Sequence, residues 1–276
     1  MILHEFNVDM RPFSQKVLNC LPVEGKNWRP SPEEIARRWD LRHLDVCSVD
    51  PIGCKDIDDA LHCIELPNGN YEVGVHIADV THFVKANSEI DREAARRCTT
   101  VYMVDRRTDM LPGLLTENLC SLVSGVDRCS FSVIWEIDGR TMEQISVKFG
   151  KSLIRSRWSG NYYKAQEMIN DPSDQTPLTK SLRGLMKIAV VLRQKRMNAG
   201  ALTLATPELK FKLDNESQNP TDVSEYQHVD THFMIEEFML LANVAVAERL
   251  ATFYPTFAIL RRHPKPKEKQ LRELVD

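Results

Sequence analysis

Residues 48–62 read Ser48-Val-Asp-Pro-Ile-Gly-Cys-Lys-Asp-Ile-Asp-Asp-Ala-Leu-His62, and they decide how the first half of the chain is organised. The stretch contains four aspartates, Asp50, Asp56, Asp58 and Asp59, between two apolar, strand-like runs. Carboxylates gathered within about 4–6 Å raise one another's pKa values unless a cation favours their charged forms. Oxygen ligands select Mg²⁺ or Mn²⁺ over zinc. The stretch therefore predicts a site for a hard divalent cation.

The pattern around the aspartates predicts how they are presented. Residues 44–50 predict a short strand that ends at Asp50, and the chain then turns at 51–53. If 56–59 is extended, Asp56 and Asp58 point to one side and Asp59 to the other, which suits two ions or one ion and its waters. A calcium-binding EF-hand is excluded, because its glycine and its distant glutamate are missing. A solvated acidic turn is the alternative interpretation.

The sequence that follows predicts a β-hairpin, because an Asn-Gly turn at 67–70 separates apolar strands at 60–66 and 71–80. Further strands are expected at 129–137 and 143–155. Ser88 caps a predicted helix at 88–97, and Ser31 caps a short one that ends near Trp39. His76, on the second hairpin strand, is interpreted as a core histidine, or as one that contacts a metal ligand, rather than as a ligand itself. The acidic loop is therefore expected to be anchored to a sheet.

The second half of the chain is predicted to be helical. Thr176 and Pro177 open an amphipathic helix that Gly200 ends, and a second helix at about 232–253 is apolar nearly all round. That second helix is expected to be buried, and its Asn243 is expected to make a structural hydrogen bond or to line a site. These signals predict an α+β fold, in which a mostly antiparallel or mixed sheet carries the acidic metal loop and helices pack around it. Residues 1–43 form a lead-in arm, and 44–276 form one domain.

The composition of the 276 residues is that of a globular protein, with 42% hydrophobic and 27% charged residues. A net charge of −3 and a pI near 6.3 do not indicate a nucleic-acid binder, so a polyanion would need local basic patches or metals. Seven cysteines without a Cys-x-x-Cys pair predict reduced thiols rather than disulfides or a zinc finger. The acidic N-terminus and the lack of a long apolar run predict neither a signal peptide nor a membrane span.

Several motifs in order then resemble one known family. They are 50–60 around the aspartates, Gly74-Val-His-Ile-Ala-Asp-Val80, Thr100-Val-Tyr-Met-Val104, Met110-Leu-Pro112, Leu119-Cys-Ser-Leu122, Gly200-Ala-Leu-Thr-Leu204, Glu236-Glu-Phe-Met-Leu-Leu-Ala-Asn243 and Leu260-Arg-Arg-His-Pro264. Together they resemble the catalytic (RNB) domain of the RNase II and RNase R superfamily. The phrases Pro12-Phe-Ser-Gln15 and Asp40-Leu-Arg-His-Leu44 are most similar to its eukaryotic exosome branch.

The resemblance implies a reaction and a site. The reaction is Mg²⁺-dependent hydrolysis of single-stranded RNA from the 3′ end, with Mn²⁺ as a possible substitute, which releases nucleoside 5′-monophosphates. Asp50, Asp56, Asp58 and Asp59 match the family's catalytic, metal-binding carboxylates, and Asp58 is expected to be the least replaceable. Tyr102 matches an aromatic residue that stacks on the terminal base.

Partners and location follow from the same resemblance. Arg106 and Arg107, and a second patch of Arg261, Arg262 and His263, are candidates for contacts with RNA phosphates. Subunits of the RNA exosome core are expected partners. The expected location is the nucleus and cytoplasm, in RNA processing and decay.

Two alternatives stay open. The family's catalytic domain is expected to continue beyond Asp276, with a further arginine and glutamate, and OB-fold domains are expected to flank it. A catalytically incomplete RNA-binding or exosome-assembly module is therefore the competing function. Zinc hydrolysis through His228, His232 and Glu236 is disfavoured, because a zincin places Glu directly after its first His, where this chain has Val229. No zinc is expected.

Overall fold

The structure is a computed structural model that describes residues 2–103, 106–203, 209–213, 220–225 and 227–262, with 264, 265, 267, 268, 272 and 273. The chain divides into two compact units, Met1–Phe238 and Met239–Asp276. Across these described ranges, no helix combines the length and the apolar character that crossing a membrane requires. The predicted boundary between arm and domain at 43/44 stays a prediction.

Strands dominate the first unit. The described residues contain β1 (Trp39–Asp40), β2 (Cys47–Asp50), β3 (Asp59–Glu65), β4 (Tyr71–Ala78), β5 (Val101–Tyr102), β6 (Arg107–Thr108), β7 (Asp127–Ile137), β8 (Gln144–Arg155), β9 (Trp158–Asn161), β10 (Leu209–Leu213) and β11 (Pro220–Glu225). Seven of them form one sheet in the order β1-β8-β7-β4-β3-β2-β9. The β1–β8 and β2–β9 pairs are parallel and the others antiparallel. Two small antiparallel ribbons, β5–β6 and β10–β11, stand apart from this sheet.

Helices cover the sheet, and their starts carry the predicted caps. The described helices are α1 (Ile2–Glu5), α2 (Gln15–Leu18), α3 (Pro32–Ala36), α4 (Glu89–Arg97), α5 (Tyr162–Asn170), α6 (Pro177–Asn198) and α7 (Asp230–Phe253), with short turns at Gly25–Asn27, Val80–His82 and Leu115–Leu119. Ser31, Ser88 and Thr176 each accept a hydrogen bond from a backbone N–H of the first turn that follows. Such caps satisfy donors that have no partner inside the helix.

The predicted α+β fold with a mixed sheet is confirmed. The hairpin expected at 60–66 and 71–80 is β3 and β4, and the helix opened by Thr176 is α6. Within the described part of the motif at 100–104, Val101 and Tyr102 form the strand β5. The elements that the sequence did not predict include α5, β9 and the β10–β11 ribbon.

Each face of the sheet has its own cover. On one face, Ser181 Oγ of α6 accepts a hydrogen bond of 2.8 Å from Cys63 N, and a Cβ at Gly184 would lie 2.6 Å from Cys63 Sγ. On the other face, Ala60 and Ala78 belong to a core with buried residues of the arm and of α4, such as Val17 and Ile90. The arm is therefore an integral part of the core, in addition to being a lead-in.

A buried polar chain crosses the second face. His62 Nδ1 and His76 Nε2 are 2.8 Å apart, His76 Nδ1 and Ser132 Oγ are 2.6 Å apart, and Ser132 continues to Ser152 at 2.5 Å. Gly74 makes room for it, because a Cβ there would lie 2.2 Å from the His62 ring. Burial, and then the nearby His62, hold the pKa of His76 well below its ordinary value. His76 is thus a neutral core residue.

One helix prediction is wrong. Asn243 of α7 is exposed rather than buried, and Val244 beside it is 54% exposed, whereas Phe238 is fully buried. The helix buries one side only. Because residues on its exposed side are also apolar, the pattern of apolar residues in the sequence does not show which side is buried.

The cysteines agree with the sequence analysis. All seven are free thiols, and four of them are buried. Burial raises the pKa values of Cys47 and Cys63 to about 12, so these thiols stay protonated at neutral pH.

Candidate functional site

The acidic loop joins two neighbouring strands of the sheet. Asp50 is the last residue of β2, as predicted, and Asp59 is the first residue of β3. Between them, a turn closes with Cys54 N donating to Pro51 O at 3.2 Å, and Gly53 in this turn has a φ of +83°. A residue with a Cβ adopts that left-handed conformation at a cost, so glycine suits the position. The loop therefore starts and ends on the rigid sheet.

Ser121 fastens the middle of the loop. Its Oγ donates to Lys55 O at 2.7 Å and accepts from Ile57 N at 3.1 Å. Leu122 N donates to Ile57 O at 2.8 Å, and Ile57 is buried in the core. The Leu119-Cys-Ser-Leu122 motif thus has a structural explanation, because it holds the backbone that carries Asp56 and Asp58.

Three of the four carboxylates have raised pKa values. Burial and then repulsion from Asp59 raise the pKa of Asp50 to about 7. A hydrogen bond from Cys54 partly opposes this rise. Burial followed by repulsion from Asp58 raises the pKa of Asp59 to about 6. Desolvation and then Asp56 raise that of Asp58. Asp50 Oδ2 is buried without a hydrogen-bond partner among the described residues. The protein thus leaves most of this negative charge uncompensated.

Two residues of the β5–β6 ribbon contact the carboxylate of Asp56. Tyr102 Oη donates to Asp56 Oδ2 at 2.8 Å, and the Arg107 guanidinium lies 2.8 Å from Asp56 Oδ1. Arg107 also pairs with Asp109 at 2.6 Å and with Glu117 at 2.7 Å. Tyr102 as a whole residue is 65% exposed. RNA contacts by either residue stay predictions.

The other predicted contact residues are Arg106, Arg261, Arg262 and His263. Arg106 is exposed and precedes β6. Arg261 and Arg262 are exposed residues of the second unit, and His263 lies outside the described residues. The ring of His232, considered above for zinc, stacks on Tyr162 with centroids 3.9 Å apart.

The carboxylates fit a hard cation in chemistry, although they are not arranged as a finished site. Among the residues that the structure describes, no three His, Cys, Asp or Glu side chains form a group ready to hold a metal. The unpartnered Asp50 Oδ2 and the raised pKa values of Asp50 and Asp59 are what a cation would relieve. Asp50, Asp58 and Asp59, joined by Asp56, are therefore the residues that would hold it.

Sequence reasoning missed some neighbours of the site. Asn161 of β9 is paired in register with Asp50, because β9 runs parallel to β2. Cys54 hydrogen-bonds the carboxylate of Asp50, and its Sγ lies 3.6 Å from Asp56 O. Ser121 could have been found, since it lies in a recognised motif. No local signal indicates Asn161, because more than 100 positions separate the paired strands.

The raised pKa of Asp50 predicts how stability depends on pH without metal. The pKa of this carboxyl is about 4 in the unfolded state and about 7 in the folded state, so the folded state binds its proton more tightly. The resulting stabilisation of the fold is fully present below about pH 4 and is lost as the pH rises through about 7. We expect Asp50→Asn to raise the free energy of unfolding by about 1–3 kcal/mol at pH 8 in EDTA, after allowance for solvent screening. The parent and Asp50→Asn should have the same free energy of unfolding near pH 4. Urea unfolding between pH 4 and 8.5 measures it.

The control for this experiment is Asp45→Asn, which removes a charge from a half-exposed aspartate that lies 3.7 Å from Arg157. Added Mg²⁺ should raise the free energy of unfolding of the parent protein. It should therefore reduce the difference in this free energy between the parent and Asp50→Asn. Identical pH profiles for parent, Asp50→Asn and Asp45→Asn would show that Asp50 is not held in a desolvated, repulsive environment.

Comparisons with known proteins cover the whole chain. The model of the RNB domain family matches residues 38–276. The chain is 52% identical over 279 residues to the probable exosome complex exonuclease RRP44 of Caenorhabditis elegans and 50% identical over 279 residues to the exosome complex exonuclease dis3 of Schizosaccharomyces pombe. Each match covers 100% of this chain and 29% of the relative, so the chain spans less than a third of their length.

Solved structures give the same fold. RNase R of Mycoplasma genitalium in complex with double-stranded RNA superposes with a TM-score of 0.87 at 27% identity, over 99% of this chain and 48% of that one. Yeast Ssd1, described as a pseudonuclease, superposes with a TM-score of 0.72 at 24% identity, over 88% of this chain and 30% of that one. At that identity the second likeness concerns the fold alone. Because a pseudonuclease shares the fold, an activity has to be argued from the site residues.

Proposed function

The chain belongs to the RNB domain family, and from this premise we propose that it carries the catalytic carboxylates of a metal-dependent 3′-to-5′ exoribonuclease. The substrate is single-stranded RNA and the products are nucleoside 5′-monophosphates. The observation that carries the proposal is the acidic loop, where three carboxylates with raised pKa values lie between β2 and β3 and one buried oxygen has no protein partner.

The four aspartates would hold Mg²⁺ or Mn²⁺. A bound divalent cation supplies charge stabilisation for a phosphoryl transition state and lowers the pKa of a bound water. The chain's own contribution is to present the carboxylates from the ends of two paired strands inside the sheet, with Ser121 fixing the loop backbone. Burial raises the pKa of Asp50 to about 7, so a cation held there would favour the charged form of its carboxyl.

Tyr102 supports the choice of a nucleic-acid substrate. Its hydroxyl donates a hydrogen bond to Asp56, yet the residue as a whole is 65% exposed. We propose that the last base stacks on this ring, which would place the terminal phosphodiester near the carboxylates. Stacking on an aromatic face tolerates every base, as an exonuclease that removes successive nucleotides requires.

The wider setting is also a proposal. The relatives are described as exosome complex exonucleases, and on that basis exosome core subunits are the proposed partners of this chain, in the nucleus and cytoplasm. Arg261 and Arg262, with His263, remain proposed contacts to RNA phosphates.

The test uses a 5′-labelled single-stranded oligoribonucleotide with the purified chain, in Mg²⁺ or in EDTA, and resolves the products on a gel. We expect a ladder that shortens from the 3′ end in Mg²⁺ and no cleavage in EDTA. An oligodeoxyribonucleotide of the same sequence is the control for sugar preference. Release of long internal fragments would contradict the exonuclease assignment.

A second candidate function is a module that binds RNA or assembles with partners without turnover. The observation that favours it is that yeast Ssd1, described as a pseudonuclease, shares this fold with a TM-score of 0.72. It predicts RNA binding in a filter assay and no product at any Mg²⁺ concentration, from protein whose circular dichroism shows that it is folded. The gel therefore separates the two candidates.

A further inference from the structure

The β5–β6 ribbon presents two side chains to one carboxylate. Tyr102 and Arg107 are direct partners in the register of this ribbon, so their side chains lie next to each other on one face. Tyr102 Oη bonds Asp56 Oδ2 and Arg107 pairs with Asp56 Oδ1, each at 2.8 Å. Both oxygens of Asp56 are thus held by the same ribbon, and the exposed aromatic ring is tied to the acidic loop.

Arg107 has more acidic partners than one guanidinium neutralises. Besides Asp56, it contacts Asp109 at 2.6 Å and Glu117 at 2.7 Å, and its side chain is only 18% exposed. One positive charge therefore faces three carboxylates. A planar guanidinium, with donors in several directions, can bridge such a set, whereas the ammonium of lysine is a compact point charge. With its donors occupied in this way, Arg107 is poorly placed to reach an RNA phosphate.

We propose that Arg107 is a positioning residue that acts as an internal counter-cation, holding Asp56 and the Tyr102 ring in a fixed relation and opposing the binding of metal at Asp56. The inference rests on the proposed function and deepens it. It replaces the phosphate contact that the sequence suggested for Arg107 with a contact to a metal-site carboxylate.

Removing the charge of Arg107 should have an effect that the loss of a purely structural side chain would not have. Without Arg107, the site loses a competing positive charge and gains the uncompensated charges of Asp109 and Glu117, so a cation should bind more tightly. At the same time Tyr102 loses its paired neighbour, so the terminal base should be held less well and turnover should fall. Loss of fold would instead weaken both binding and turnover.

The experiment titrates Mn²⁺ into the purified chain by isothermal titration calorimetry and measures Mg²⁺-dependent RNA turnover in parallel. We expect Arg107→Gln to bind Mn²⁺ about three- to tenfold more tightly, in line with the modest strength of partly exposed ion pairs, with at least about tenfold slower turnover. Arg107→Lys keeps the charge and should bind Mn²⁺ as the parent does. The control Arg92→Gln removes an exposed charge on α4 that pairs with Glu89 and should change neither.

A second variant changes how the Tyr102 ring is positioned without changing the charge of Arg107. It remains informative if Arg107→Gln fails to fold. Tyr102→Phe removes the bond to Asp56 Oδ2 and leaves the ring and Arg107 in place, so turnover should fall while Mn²⁺ affinity stays within about twofold. Unchanged or weaker Mn²⁺ binding by folded Arg107→Gln would overturn the inference. So would a tenfold change in Mn²⁺ affinity in Tyr102→Phe. A folded parent that binds Mn²⁺ but degrades no RNA would contradict the proposed activity alone, and the calorimetric result would still decide the role of Arg107.

Discussion

Asp58→Asn is expected to lower Mg²⁺-dependent RNA turnover by at least about 100-fold, because cation charge stabilisation contributes several kcal/mol and each 1.4 kcal/mol is a factor of about ten. Asp58 has the central electrostatic position in the loop. It contributes to the raised pKa values of both Asp50 and Asp59, and its own pKa is raised by desolvation and then by Asp56. The substitution keeps the size of the side chain and removes the charge that a cation needs.

The backbone at Asp58 should survive this substitution. Its carbonyl accepts a hydrogen bond of 2.9 Å from Ala78 N. Although neighbouring groups partly desolvate its carboxylate, the residue reaches solvent, so Asn can take the same place. RNA affinity should therefore change by less than about threefold, because most of it comes from contacts to the backbone and bases. Single-turnover kinetics and a filter-binding assay measure the two quantities separately.

The matched control is again Asp45→Asn, which alters an aspartate that precedes β2 and should keep full turnover. A parent protein that is active while Asp58→Asn retains more than a third of its rate would show that the acidic loop is not the catalytic centre. In that case the raised pKa values would reflect a structural feature of the loop.

Arg38→Met is expected to destabilise the fold by about 3 kcal/mol, as is typical when one partner of a buried ion pair is removed. The Arg38 side chain is 1% exposed and pairs with the 2% exposed Asp79 at 2.7 Å. It also donates to the carbonyls of Ser130 and Ser152 at 3.3 and 3.2 Å. Arg38 thus joins the end of the arm to β4, β7 and β8.

The loss arises because methionine fills the space without supplying donors. Asp79 would keep Lys151 at 3.2 Å and Thr81 at 2.7 Å, but its buried charge would lose the guanidinium. Denaturant unfolding at pH 7.5 measures the change. Arg37→Met, at the neighbouring exposed arginine, is the control and should change the free energy of unfolding by less than about 0.5 kcal/mol. Equal losses in both variants would mean that the ion pair with Asp79 contributes nothing specific.

Local signals account for what could be predicted of the fold. Ser31, Ser88 and Thr176 each cap a helix through a hydrogen bond within its first turn. The Asn-Gly turn at 68–69 sets the register of the hairpin that it joins. Both kinds of feature can therefore be predicted from a few neighbouring residues. β9 is different, because Trp158-Ser-Gly-Asn161 becomes a strand through parallel pairing with β2. Such pairing joins distant segments and leaves no hairpin turn in the sequence.

The same division holds for the site. Four aspartates in ten residues identify the candidate centre from sequence, because their mutual repulsion is a property of spacing alone. The sequence left the partner of Asp56 open, since two adjacent arginines can equally well meet a phosphate or a carboxylate. Only the register of β5 and β6 decides that Arg107 lies beside Tyr102, within reach of Asp56, Asp109 and Glu117.

The sequence by itself determined the family, the acidic loop and the hairpin that anchors it, because these depend on residue types and on contacts between near neighbours. Only the tertiary structure decided that Asp50 has a buried unpartnered oxygen, that Ser121 fastens the loop and that Arg107 compensates Asp56. Desolvation and ion pairing depend on which distant segments enclose a charge, and this is established only when the chain has folded.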